Sequence, residues 1–206
     1  HNMLYNGGFD SILRMSWGNP RCLLIILKSI FKWSIFNNNE PFIKDKISIE
    51  EQFKGIREGS QWYYNDAELK GEDGKFAYSL IDNIGRLLNA ERYSDKPIEC
   101  SPSSIYFNKL DLSDEANSFI QLVIDHALLV EIEEGRIDRN IQFADQLLQI
   151  HRMLAPKWYL PLARRGSNKL TKDLTEAIFS PKSKKNFKIL FKDFIEKRNA
   201  PYKHSS

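Results

Sequence analysis

The sequence predicts a mainly α-helical protein with more than one domain, and three observations support this fold class. Apolar residues recur at helical spacing along most of the 206-residue chain. Strand signals are confined to a short run at 103–110 and a candidate hairpin at 128–143. Charge is uneven, because residues 152–206 carry 14 Lys and Arg against 4 Asp and Glu, whereas residues 1–151 carry 16 against 23. A helical body followed by a basic helical tail is therefore expected.

Asn19 and Pro20 predict the start of a helix over 20–36. The asparagine can accept a hydrogen bond from a first-turn amide, and proline suits the first helical position. Arg21 is unusual there, since a cation in the first turn faces the positive end of the helix dipole. It either meets an anion or is simply solvated. The residues predicted to face the core are Leu23, Leu24, Leu27, Ile30 and Phe31.

The next segment is predicted to contain a short helix and a connector. Ser48 and Glu51 form an S-x-x-E capping box that opens a helix ending near Arg57. Residues 58–74 are predicted to be a connector containing a domain boundary. A second amphipathic helix follows at 75–91.

The order of the following elements is typical of a winged-helix domain. A strand at 103–110 precedes a helix at 113–127, which Ser113 can cap. The candidate hairpin turns at Glu134-Gly135, so residues 134–139 would form the wing. Further along, helical patterns predict helices at 144–154, 171–179 and 184–198, with an irregular basic stretch at 157–169.

Several function classes find no support in the sequence. It contains no phosphate-cradling G-x-x-x-x-G-K-[ST] motif, no nucleophile elbow and no metal-ligand spacing of Cys and His. Cys22 and Cys100 give no disulfide framework, so a reduced cytoplasmic setting is expected. No apolar run approaches the roughly 20 residues needed to span a bilayer. The chain is expected to have no catalytic residues, no metal site and no enzymatic turnover of its own.

Four stretches resemble a known family. "GNPR" at 18–21 opens an apolar helix and resembles the sensor-2 motif in the helical lid of AAA+ ATPases. Residues 55–71, 81–88 and 151–166 are similar to the lid-to-winged-helix portion of prokaryotic ATPases of the origin-recognition initiator type. The Walker A, Walker B and sensor 1 motifs of the nucleotide-binding core are missing from this sequence. The chain therefore resembles a C-terminal piece of such an ATPase, or a standalone relic of one.

The resemblance implies a domain plan and a nucleotide contact. The plan is an AAA+ lid-like helical domain at 3–60, a connector at 61–74, a winged-helix domain at 75–165 and a basic helical tail at 166–206. Arg21 would reach the terminal phosphates of a nucleotide. ATP and Mg²⁺ are implied only for a core domain that this sequence lacks, so no cofactor is expected in the chain itself.

DNA and the ATPase core domain, or another protein subunit, are the expected partners. Phosphate contacts need cations, and the helix at 113–127 contains Asp114, Glu115 and Asp125 but no Lys or Arg. Trp158 could stack on bases or pack in the core, as could the neighbouring Tyr159. The candidate nucleic-acid-binding residues are instead Arg136, Arg139, Arg164, Arg165, Lys169, Lys182, Lys184 and Lys185.

A different class of function fits the same charges. In this alternative the protein is an interaction adaptor, whose acidic winged helix docks a partner protein while the basic tail only aids solubility. The salt dependence of binding to duplex DNA separates the two hypotheses, since phosphate contacts release counterions.

Overall fold

The fold is mainly helical with a small sheet, as the sequence predicts. The computed structural model describes residues 8–41, 43, 46–68, 71–95, 101–132, 145–163, 166–180 and 184–200. The helices in these ranges are α1 (Phe9–Ser16), α2 (Pro20–Phe36), α3 (Ile49–Glu68), α4 (Gly71–Arg92), α5 (Asp114–Asp125), α6 (Lys172–Phe179) and α7 (Lys184–Asn199).

Four short strands form one sheet behind these helices. They are β1 (Ser104–Asn108), β2 (Leu129–Glu131), β3 (Asp145–Ile150) and β4 (Ser167–Lys169), in the spatial order β2-β3-β1-β4. Strand β3 runs antiparallel to β1 and β2, whereas β4 runs parallel to β1. The order α4, β1, α5 and then the antiparallel pair β2 and β3 is winged-helix-like. The predicted wing, 134–139, lies outside the described residues.

The prediction of a helix at 144–154 is wrong. Its first half is strand β3, in which Ile105 pairs with Leu148 and Val130 with Gln149. Its second half belongs to a 3-10 segment, Arg152–Trp158. Pairing with two neighbouring strands buries the residues from Gln146 to Ile150, and this tertiary gain outweighs the local helical pattern.

The connector predicted at 58–74 is helical over most of its length. Helix α3 runs on to Glu68 instead of ending near Arg57, and α4 begins at Gly71. The extension is stabilised by burial, because Tyr64 is 2% exposed and packs at 4.0 Å between ring centroids against Tyr78 of α4. The division into domains itself stays a prediction.

The predicted core face of α2 is confirmed at Ile30, which is buried, and at Leu23 and Leu27, which pack against buried residues, but it is wrong at Leu24 and Phe31. Cys22, Ile26 and Ile30 are buried, whereas Leu24 and Phe31 are 64% and 47% exposed. The reason lies on α3, where a Cβ at Gly55 would stand 2.6 Å from the backbone nitrogen of Ile30. The missing side chain lets the two helices cross closely, and the closely packed face of α2 becomes the buried one.

Two hydrophobic clusters result. One joins α1, α2 and α3 and contains the side chain of Met153. The other joins Tyr64 of α3 with α4, the sheet, α5, α6 and part of α7. Among the described helices, none has the length and apolar character required to cross a membrane.

Candidate phosphate and nucleic-acid sites

Arg21 lies in the first turn of α2, and the predicted cap is confirmed. The Asn19 side-chain oxygen accepts a hydrogen bond of 2.9 Å from the Arg21 amide, and Pro20 occupies the first helical turn. The cap satisfies one of the amides that a helix start leaves unpaired. The Arg21 side chain itself is 67% exposed.

Two residues of α3 surround the Arg21 guanidinium. Its Nη2 lies 3.6 Å from Asp66 Oδ1, and its central carbon lies 5.0 Å from the centroid of the Trp62 ring. Trp62 and Asp66 are four residues apart, so they share one face of α3. Sequence reasoning missed both partners, although their spacing on a helix adjacent to α2 is the signal that could have found them.

This arrangement leaves the Arg21 side chain accessible to an anion from solvent. An exposed ion pair is worth about 0–1 kcal/mol, so Asp66 holds Arg21 only loosely. A phosphate approaching the start of α2 would meet the guanidinium and the positive end of the helix dipole together. These residues fit one phosphate contact of a nucleotide, not a whole nucleotide site.

The structure describes the side chain of only one of the eight predicted nucleic-acid-binding residues. Lys169 is exposed on β4, and its Nζ lies 5.7 Å from the centroid of the Tyr106 ring. Together with Asn108, Thr171 and Lys172 it lines a cavity of about 290 Å³. Lys184 and Lys185 lie in the first turn of α7, but their side chains are outside the described part of the structure. Also outside it are Arg136, Arg139, Arg164, Arg165 and Lys182.

Helix α5 presents an acidic surface. Ser113 caps it as predicted, accepting from the Ala116 amide at 3.2 Å. Asp114, Glu115 and Asp125 are all exposed, and α5 contains no Lys or Arg. The negative charge of α5 therefore repels the phosphates of a DNA backbone.

The two aromatic residues considered for base stacking have different surroundings. Trp158 is 7% exposed and packs edge-to-face on Tyr64, with ring centroids 5.5 Å apart, so the core-packing alternative is the right one. Tyr159 is 37% exposed, and the Arg57 guanidinium lies 5.6 Å from its ring centroid.

Two buried titratable groups have structural roles. Hydrogen bonds from Asn37, Ser48 and Asn39 outweigh burial and lower the pKa of Glu51 to about 2, and its bond from the Ser48 amide completes the predicted capping box. Burial, with a smaller contribution from Arg152, lowers the pKa of His151 to about 4.

Within the described ranges, no group of three or more His, Cys, Asp or Glu residues could hold a metal ion.

Comparison with known protein families identifies the family of this chain. The family model for ORC-CDC6-like proteins matches residues 2–170. The chain belongs to the ORC-CDC6-like family. The resemblance to the lid-to-winged-helix portion of origin-recognition-type ATPases is thereby confirmed, and the match covers Arg21, α3 and the winged-helix-like sheet. Comparisons with curated proteins and with solved structures gave no match. In this ORC-CDC6-like chain, α6 and α7 follow the matched range.

Proposed function

We propose that this ORC-CDC6-like chain is the regulatory and DNA-binding part of an origin-recognition-type ATPase. Arg21 contacts the phosphates of a nucleotide that a separate core domain binds, and the winged-helix-like part with the basic tail contacts DNA. The observation that carries the proposal is the position of Arg21, exposed at a capped helix start and only loosely paired.

The first part of the proposal predicts how the isolated chain behaves towards ATP. ATP, when bound by the core domain with Mg²⁺, supplies the terminal phosphates that would attract Arg21. One arginine cannot replace a phosphate-cradling loop, so the isolated chain neither binds ATP tightly nor hydrolyses it. Isothermal titration calorimetry and a phosphate-release assay test this expectation. A micromolar dissociation constant together with turnover above the blank would overturn it.

The DNA half of the proposal places the contacts on cations rather than on α5. Fluorescence anisotropy with two unrelated duplexes, measured over a range of salt concentrations, tests it. Replacing Arg164 and Arg165 with alanine should weaken binding to both duplexes alike and flatten the salt slope by about one unit per lost phosphate contact. Gln121→Ala, on the exposed face of α5, is the control and should change neither.

The adaptor is a second candidate because of the acidic, cation-free surface of α5. A basic partner protein would be attracted to Asp114, Glu115 and Asp125, while DNA would be repelled. Binding that shows no salt dependence with any duplex favours the adaptor. Loss of sequence preference in Gln121→Ala, with the double arginine variant still binding, would mean that α5 contacts bases.

A further inference from the structure

The 3-10 segment Arg152–Trp158 connects the two hydrophobic clusters. Met153, near its start, is fully buried among the residues of α1, α2 and α3. Trp158, at its end, packs in the cluster around α4. Of its seven residues, Met153 thus lies in one cluster, and Leu154, Ala155 and Trp158 lie in the other.

The Trp158 end fits closely against α4. A Cβ at Gly85 would stand 2.2 Å from Trp158 Cδ2, so the indole ring lies directly on the helix backbone. Asn89, one turn further along α4, donates a hydrogen bond of 2.8 Å from Nδ2 to the Trp158 carbonyl. Together these two contacts prevent the 3-10 segment from sliding along α4.

The start of the segment is fixed to α1 and α3 by aromatic contacts. His151 stacks on Tyr63 with ring centroids 4.9 Å apart, and the Trp17 ring lies 5.3 Å away. The Arg152 guanidinium lies 4.4 Å from the centroid of Trp17 and donates to the Arg14 carbonyl at the end of α1. Strand β3 of the winged-helix-like part therefore ends against the first helices of the chain.

Helix α3 also contacts the winged-helix-like part directly. The Tyr63 hydroxyl donates a hydrogen bond of 2.9 Å to the carbonyl of Ala127, just after α5. Tyr63 follows Trp62 and precedes Asp66, the two partners of Arg21, on the same helix. Less than one helical turn separates the surroundings of Arg21 from a contact at the end of α5.

We propose that these contacts make α1, α2 and α3 one rigid body with the winged-helix-like part, so that the winged helix takes its orientation from the helix carrying Arg21. This inference rests on the proposed function. A movement of α2 towards a nucleotide reorients the DNA-contacting surface, because no hinge separates α2 from the winged-helix-like part. The rigid joint is thus how the Arg21 site regulates DNA contact. Tyr63, His151 and Trp158 are positioning residues of the joint.

Double electron–electron resonance between two spin labels tests the joint without DNA or nucleotide. Lys28→Cys on α2 and Gln121→Cys on α5 place labels at two exposed positions. The background carries Cys100→Ser, and the native Cys22 is 1% exposed and protected from labelling. We expect one narrow distance distribution. Two populations, or a broad distribution, in this otherwise unaltered protein would overturn the proposal.

A matched pair of glycine variants sharpens the test. Gly85→Ala places a methyl group against the indole ring and should broaden the distribution, whereas Gly59→Ala, whose Cβ would stand 3.3 Å from Ile26 Cγ1, should leave it narrow. A folded Gly85→Ala protein with the unaltered narrow distribution contradicts the joint. If Gly85→Ala does not fold, Tyr63→Leu, which removes both the stack on His151 and the bond to Ala127, takes its place with the same two outcomes. Because no ligand is present, failure here is distinct from failure to bind DNA or nucleotide.

Discussion

Two arginines of this protein have opposite surroundings. Arg198 of α7 is 14% exposed in its side chain and lies 2.7 Å from the carboxylate of Glu91, which is 6% exposed. Arg21 is 67% exposed and lies 3.6 Å from Asp66. Arg198 also donates from Nε to the Ser94 hydroxyl. Burial fixes Arg198 in a structural pair, whereas exposure leaves Arg21 able to exchange Asp66 for another anion.

The comparison is sharpened by an arginine that matches Arg21 in exposure but not in position. Arg86 is 66% exposed and pairs at 2.7 Å with Asp82, one turn away on α4. It lies in the interior of a helix, whereas Arg21 lies at a helix start, where the dipole favours an anion. Differences between Arg21 and Arg86 therefore report position and not exposure.

The largest expected effect comes from the buried pair. Arg198→Ala removes the guanidinium from beside a buried carboxylate and should lower the free energy of unfolding by about 3–5 kcal/mol. Urea denaturation followed by circular dichroism measures it. Lys197→Ala, next to it but 77% exposed, is the control and should cost little. Equal costs for the two variants would mean that the Arg198 pair is not a buried structural contact.

A buried histidine should give the next largest effect, through pH. The pKa of His151 is lowered to about 4 in the folded protein, so between pH 6.5 and 4 the unfolded chain binds a proton that the folded protein does not. Stability should therefore fall as the pH falls through this window, by about 3 kcal/mol in all. His151→Asn should flatten the profile. A profile that is the same with and without His151 would contradict this prediction.

A smaller effect is expected at the buried carboxylate of the α3 cap. Glu51 accepts hydrogen bonds from Asn37 and Asn39 as well as from the Ser48 amide. Glu51→Ala should cost about 1–3 kcal/mol at neutral pH, because three donors lose their acceptor. Glu50→Ala, on the neighbouring exposed carboxylate, should cost far less in the same denaturation experiment. Similar costs would show that the hydrogen bonds accepted by Glu51 do not stabilise the start of α3.

Arg21 itself should contribute the least to stability. Because both guanidinium groups are about two-thirds exposed, Arg21→Ala and Arg86→Ala should each change the free energy of unfolding by less than about 1 kcal/mol. Thermal unfolding of the two variants beside the unaltered protein checks this. A loss at Arg21 as large as that at Arg198 would assign Arg21 to the fold and remove the basis for a phosphate contact.

The sequence predicted the elements whose signals are local. Asn19, Ser48 and Ser113 all cap helices where expected, because a cap depends on residues only two or three positions apart. The wrong predictions concern elements whose structure depends on tertiary contacts. Strand β3 was predicted as a helix because its strand character depends on pairing with β1 and β2, which are distant in sequence.

The candidate site was predictable to a similar degree. A four-residue motif located Arg21, but its partners Trp62 and Asp66 lie on a helix whose length was underestimated. Leu24 and Phe31 were wrongly predicted to face the core because apolar spacing cannot show which side of α2 Gly55 and Gly59 approach. A G-x-x-x-G spacing beside an apolar helix is a signal that could have corrected it.

Whether Arg21 is available for a phosphate can be measured by nuclear magnetic resonance of the arginine Nε–H groups during a titration with inorganic triphosphate. We expect the Arg21 signal to shift at a lower triphosphate concentration than that of Arg86, and Asp66→Asn to lower this concentration further by removing the competing carboxylate. Arg21 and Arg86 responding at the same concentration, or Arg86 responding first, would contradict this expectation.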